Sequence, residues 1–176
     1  AHIIGFEPDP DVFAYLQENI NSNGLKDVKL VQAAVAGKEG TMTFYSDNKY
    51  SGFLTEYRSS SNEEIGWVKY EVPCVRLQNY LDQPVDFLKM NIEGAECEVL
   101  ADSEKSLRQI KEMVIEYHHF PSSSCTLHKI LDLLYRQGFE YLINDFDSEL
   151  NRAVVPPFQL TPETHYYLLI YAKRKD

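Results

Sequence analysis

Short apolar runs alternate with amphipathic stretches along this chain, and three of the runs end in groups capable of chemistry. His2 to Phe6 runs into Glu7, and VDFLKMNIEGAECEVL, residues 85 to 100, carries Val85, Phe87, Leu88, Met90 and Ile92 past Asn91 and Glu93. KEMVIEYHH closes on Glu116, His118 and His119. Strands that alternate with helices predict an α/β fold with an open, mostly parallel sheet of the doubly wound type. The strand ends of such a sheet share one edge, and ligands bind in the crevice outside it. The polar groups are therefore expected to converge on a single cleft.

Local signals support each piece. In EPDPDVFAYLQENINSNG, Asp9 is the expected N-cap, Pro10 opens the helix, Val12, Phe13, Leu16 and Ile20 share one face, and Gly24 stops it. DVKLVQAAVAG reads as the next strand, closed by Gly37, so the chain opens with a βαβ unit. From Lys38 to Asp82 the runs TMTFY and VKYEVPCVRL flank the polar stretch RSSSNEE, which predicts an inserted antiparallel hairpin with a mobile loop. The run from Val85 to Ile92 has the pattern of a central strand buried on both faces, followed by a helix from Gly94 towards Ala101. CTLHKILDLLYRQG spaces Leu127, Ile130, Leu131 and Leu134 along one helical face, with Gly138 as its stop. FEYLIND and HYYLLIYAKRK then supply a closing pair of strands, expected to be antiparallel. With no repeat and no linker in view, residues 1–176 are expected to form a single domain.

Composition removes several functional classes. A length of 176 residues with 44% hydrophobic and 25% charged content supports one substantial core. The formal charge of −10 repels a phosphate backbone, and the basic run Lys173-Arg174-Lys175 reads as a solvated tail, so no nucleic-acid partner is expected. Cys74, Cys97 and Cys125 are odd in number and form no C-x-x-C pair, which argues against a disulfide framework or a zinc ribbon and fits a reducing cytoplasm. No apolar run approaches the roughly 20 residues needed to cross a bilayer, and no signal-peptide pattern is present. A cytoplasmic location without a membrane partner follows as the expectation.

The strand-end residues suit distinct tasks. A carboxylate placed like Glu7 can accept both hydroxyls of a ribose, and the dipole of the following helix is an equally good structural reason for an acid there. Glu93, Glu116 and His118 are the candidate proton acceptors. Asn91 cannot take a proton, although its amide can orient a substrate. Lys89 reads as a neutralising partner for a carboxylate, Gly94 as room for close helix packing and Glu96 as a first-turn helix acid. Glu93, Glu116 and His118 are also a conceivable metal set, but no i,i+4 histidine pair or comparable ligand spacing supports it, and no metal is expected.

IIGFEPDPDVFAYLQENINSNGLKDVKLVQAAVAGKEGTMTFY, taken with VPCVRLQNYL and VDFLKMNIEGAECEVL, resembles the FkbM-type family of S-adenosylmethionine-dependent methyltransferases over most of the chain. In that family F-E-P-x-P follows the second strand and K-x-D-x-E-G-x-E ends the fourth; Glu7, Pro8, Pro10, Lys89, Glu93, Gly94 and Glu96 match. Asn91 stands where the family has an aspartate, and the family's upstream glycine-rich cofactor turn, of the form D-x-G-x-x-x-G, does not occur in this sequence. The resemblance implies a Rossmann-like methyltransferase fold and S-adenosylmethionine as cofactor. It implies that Glu7, with Pro8, meets the ribose, that Ala34 and Val35 lie against the adenine, and that Asn91 borders the cofactor. Ordinary strand-end packing accounts for Ala34 and Val35 equally well. On the acceptor side it leaves Asn91, Glu93, Glu116 and His118 as the catalytic candidates.

The function so implied is O-methylation of a small-molecule or sugar-like acceptor. A non-catalytic cofactor-binding module, or a fragment without activity, is the alternative from another class; an NAD or nucleotide-sugar protein of related fold is the other enzyme reading. In the methyltransferase-like order, the first strand lies between those carrying Glu7 and Asn91, and this sequence starts after it. Each buried unpaired backbone group costs on the order of 1 to 3 kcal/mol. The two flanking strands are therefore expected to pair directly or to borrow a strand from a second copy, which would make a homo-oligomer.

Overall fold

The computed structural model describes residues 1–47, 52–56, 66–120, 126–145 and 165–175, and the chain divides into two units, Ala1–Arg76 and Leu77–Asp176. In the first unit, β1 (Ile3–Phe6) and β2 (Val28–Val31) pair in parallel, from Ile3 opposite Val28 to Phe6 opposite Val31. The crossover between them is α1 (Pro10–Ser22). Asp9 caps it by accepting the Asp11 and Val12 N–H groups at 2.8 and 3.1 Å, and the chain leaves through Gly24 at φ +64°, where a side chain is disfavoured. The expected βαβ opening is thus present.

The run after α1 does not continue as one strand. It breaks at Gln32 and Ala33, and β3 (Ala34–Val35) joins a different sheet, of order β3-β6-β4-β5. There β4 (Gly40–Ser46) and β6 (Val68–Val75) form the expected antiparallel hairpin, with β5 (Gly52–Leu54) on the outer side of β4. RSSSNEE lies outside the described residues. Ala34, Ala36, Met42, Phe44, Leu54, Val72 and Cys74 form the core beneath this sheet. Gly52 is required where it stands, because a Cβ there would lie 2.2 Å from Phe44 Cζ.

The second unit carries β7 (Val85–Met90), α2 (Glu96–Asp102), β8 (Ile110–His119), α3 (Leu127–Arg136), β9 (Phe139–Asp145) and β10 (Tyr166–Arg174). The sheet order is β7-β8-β10-β9: β7 and β8 are parallel, and β10 runs antiparallel to both of its neighbours. The closing pair is therefore antiparallel, as expected. Tyr117, on β8, accepts the Thr126 N–H at the start of α3 through its hydroxyl at 3.2 Å, and the buried Ile115, Ile130, Leu134 and Ile170 belong to the core of this unit.

Two expectations are corrected. The sheets are mixed rather than mostly parallel: β1–β2, β3–β6 and β7–β8 are parallel, while β4–β5, β4–β6, β8–β10 and β9–β10 are antiparallel. The inserted hairpin and the return of β10 between β8 and β9 supply the antiparallel pairs. Nor is β7 buried on both faces, since Met90 alone in it is buried and Phe87 is 58% exposed. Phe87 belongs to an apolar sheet face with Tyr171 and Leu142, both of which are also exposed. Among the described residues β1 has β2 as its one strand neighbour and β7 has β8. Among those residues no helix is long and apolar enough to cross a membrane.

Candidate active site

The first unit holds the proposed cofactor carboxylate. Glu7 follows β1 directly, its own N–H donating to the Val31 carbonyl, and its Oε1 accepts the Asp9 N–H at 2.8 Å. Burial raises the Glu7 pKa above the ordinary carboxylate value, against the Asp9 N–H that lowers it, and the Asp9 charge raises it further. The segment is pinned to the hairpin at two points. Ser46, buried on β4, donates its hydroxyl to Asp9 Oδ2, and Tyr70 on β6 donates its own to Asp11 Oδ2 at 2.9 Å. Pro8 and Pro10, with φ confined by their rings, stiffen the path on either side of Asp9. Ala34 is buried in the core cluster opposite Cys74, and Val35, opposite Val75, is half-buried.

The second unit gathers three carboxylates, from the ends of β7 and β8 and from the start of α2, around one imidazole. His118, with its side chain 3% exposed, has Nδ1 at 3.1 Å from Glu96 Oε1 and Nε2 at 3.5 and 3.6 Å from Glu93 Oε1 and Glu116 Oε1. Its ring stacks on Phe120, with centroids 5.6 Å apart, and meets the Tyr167 ring edge-on at 5.0 Å. Glu93 and Glu116 are each 23% exposed at their side chains, so solvent reaches the carboxylates and hardly reaches the ring. Burial by itself lowers the His118 pKa, but the hydrogen bond to Glu96 and the charges of Glu96, Glu93 and Glu116 outweigh it and the net shift is upward.

Strand periodicity explains which histidine joins the cluster. Alternate residues of a strand face opposite sides, so His118 shares the side of Glu116, and His119 does not. His119 stacks on Tyr166 at 4.8 Å, and its Nδ1 is buried without a hydrogen-bond partner among the described residues. The structure therefore brings together Glu93, Glu116 and His118 of the expected catalytic set. Asn91 is exposed just beyond β7 and makes none of these contacts, and Lys89 is exposed as well.

In the sequence Glu96 has the pattern of a first-turn helix acid, and its part in the cluster comes from the fold. Although it opens α2, it is 1% exposed, and its carboxylate turns back to accept the Ile92 and Gly94 N–H groups at 3.3 and 3.1 Å. The signal was the E-G-x-E spacing: Glu93 at φ +55° and Gly94 at φ +106° make a tight left-handed turn that returns the chain over itself. Among the described residues no group of His, Cys, Asp and Glu side chains has the arrangement of a metal site.

The cluster stands at strand ends on an α/β framework, and sequence comparison gives the chain a family. The model of the methyltransferase FkbM domain matches residues 1–141, and the chain belongs to that family. It is 26% identical over 152 residues to the 2-O-methyltransferase NoeI of Sinorhizobium fredii, covering 76% of this chain and 61% of that protein. It is 27% identical over 209 aligned positions to the methyltransferase sdnD of Sordaria araneosa, covering all of this chain and 73% of that one. The FkbM methyltransferase of Methylobacillus flagellatus superposes on 97% of this chain with a TM-score of 0.53 at 13% identity, and this chain covers 36% of that protein. That likeness supports the fold. The chain thus spans about three fifths of NoeI.

Proposed function

We propose that this chain forms part of an S-adenosylmethionine-dependent methyltransferase that methylates an oxygen of a small-molecule or sugar-like acceptor. The observation that carries the reading is the cluster at the ends of β7 and β8, where Glu93 and Glu116 reach solvent above the buried His118. Family membership supports the reaction type, and the 2-O specificity in the name of NoeI supports oxygen as the atom methylated.

Glu7 fits the cofactor's ribose. Its Oε1 already takes one N–H, and Oε2 has no partner among the described residues, so the carboxylate can accept a vicinal diol, with Pro8 bordering it. Val35 is the more accessible of the two residues suited to an adenine face, and Asn91 is exposed, with an amide able to hydrogen-bond a ligand. When bound, S-adenosylmethionine supplies an electrophilic methyl group for in-line displacement, and alignment of the acceptor with it is the main catalytic requirement. The acceptor hydroxyl must lose its proton as its oxygen is alkylated. Glu93 and Glu116 are the outward-facing groups able to take it, and His118 Nε2 lies 3.5 and 3.6 Å from them.

The decisive measurement incubates the full-length protein with methyl-labelled S-adenosylmethionine and a panel of hydroxylated small molecules and sugars. Label transfer that falls in Glu93→Gln and Glu116→Gln, with cofactor affinity by calorimetry unchanged, is the expected result. An intact protein that neither binds the cofactor nor transfers label would overturn the reading.

A further inference from the structure

We propose that Glu96 is a positioning residue of this site: it anchors His118 through Nδ1 and thereby presents Nε2 to Glu93 and Glu116. This rests on the acceptor-site reading above and adds to it a residue that touches neither substrate nor cofactor.

The geometry leaves Glu96 one role in hydrogen bonding, that of acceptor. Its carboxylate is 1% exposed and receives the Ile92 N–H, the Gly94 N–H and the imidazole Nδ1. A buried carboxylate is tolerated when donors converge on it, and here two of the three are backbone groups that cannot turn away. While Glu96 is a carboxylate the third must be a donor as well, which assigns the proton of His118 to Nδ1 even when the ring is neutral. Nε2 is then the atom that gains or loses a proton, and it faces Glu93 and Glu116. Stacking on Phe120 and the edge contact with Tyr167 restrict the ring plane, while Glu96 decides which nitrogen lies on which side.

The same carboxylate links that choice to the turn carrying Glu93. The left-handed conformation at Glu93 is unfavourable for a residue with a side chain, and the hydrogen bonds from Ile92 and Gly94 hold the turn on both sides of it. A single group at the start of α2 thus places both the imidazole and one of the carboxylates it faces.

The test is nitrogen NMR of the histidine side chains in the full-length protein, with His118 assigned by its absence in His118→Asn. On raising the pH the wild-type ring should pass to the Nδ1–H tautomer; an Nε2–H tautomer would overturn the proposal without any variant of Glu96. In Glu96→Gln the tautomer preference should be lost and the His118 titration should move to lower pH. Unchanged tautomer and titration in a folded variant would overturn it. With an active acceptor in hand, Glu96→Gln should lower kcat about tenfold or more, the range for one hydrogen bond to a charged group, with KM for the methyl donor unchanged. An unaltered kcat would overturn the role in the reaction. Should the wild type transfer no methyl group while the NMR behaves as described, the methyltransferase reading fails and the Glu96 anchor stands.

Discussion

Asp9 and Ser46 are joined across the first unit: one oxygen of the Asp9 carboxylate caps α1, and the other receives the Ser46 hydroxyl from β4. Both residues are 2% exposed, so neither group has water as a ready substitute. The segment that carries Glu7 and Pro8 is fastened to the hairpin through this pair.

Asp9→Ala should therefore cost more than an ordinary cap. Loss of the cap is worth about 1 kcal/mol, and loss of the hydrogen bond from Ser46 to the buried carboxylate adds roughly 1.5 to 3 kcal/mol. Ser46→Ala should cost less in the Asp9→Ala background than in the wild type, because the shared hydrogen bond is already gone. Urea unfolding of the four proteins of the cycle gives the coupling; strictly additive losses would show that the two side chains do not depend on each other.

Stability should fall with rising pH on account of His118. Its folded pKa lies above the ordinary value of 6.5, and the groups facing it are Glu96, Glu93 and Glu116, with the Tyr167 ring at its edge. A group shifted this way contributes its full stabilisation below the unfolded pKa and loses it as pH passes the folded value. Wild type measured against His118→Asn should lose its advantage above about pH 6.5, the unfolded value. A difference that stays constant from acid to alkaline pH would contradict the assignment.

Glu7 is expected to trade stability for binding. Burial raises its pKa, so its contribution to stability is present below 4.5 and is lost as pH rises through the folded value. Glu7→Gln keeps an acceptor for the Asp9 N–H and removes the buried charge, so at neutral pH the variant should be at least as stable as wild type. Its affinity for S-adenosylmethionine should drop by about 1.5 to 3 kcal/mol. Thermal unfolding and calorimetry on the full-length protein separate the two effects; unchanged affinity would remove Glu7 from the cofactor site.

Arg174 lies beyond the segment matched to the family and acts as a clamp in the second unit. Its guanidinium donates to the carbonyls of Ile110, Gln137 and Leu107 at 3.2, 2.8 and 2.8 Å and lies 4.5 Å over the Phe139 ring. Lysine retains the charge but not the planar fork, so Arg174→Lys should cost about 1 to 3 kcal/mol in urea unfolding. A variant as stable as wild type would mean that water replaces the fork without loss.

What the sequence determined by itself is local. Asp9 and Pro10 at the start of α1, Gly24 and Gly138 beyond the ends of α1 and α3, and the alternation that separates His118 from His119 depend on backbone dihedrals and strand periodicity, which act over a few residues. The motif around Glu93 and Gly94 was legible through its resemblance to the FkbM pattern. Tertiary structure decided the rest. The run after α1 divides between β2 and β3, because their hydrogen-bonding partners, β1 and β6, come from distant parts of the chain, and no local preference records that division. Apolar composition alone could not tell that Phe87 lies exposed, since burial depends on what covers a face. Glu96 looked like a surface acid of a first helical turn until the fold brought β8 beside it. Its proximity to His118, 22 positions along the chain, makes it part of the site.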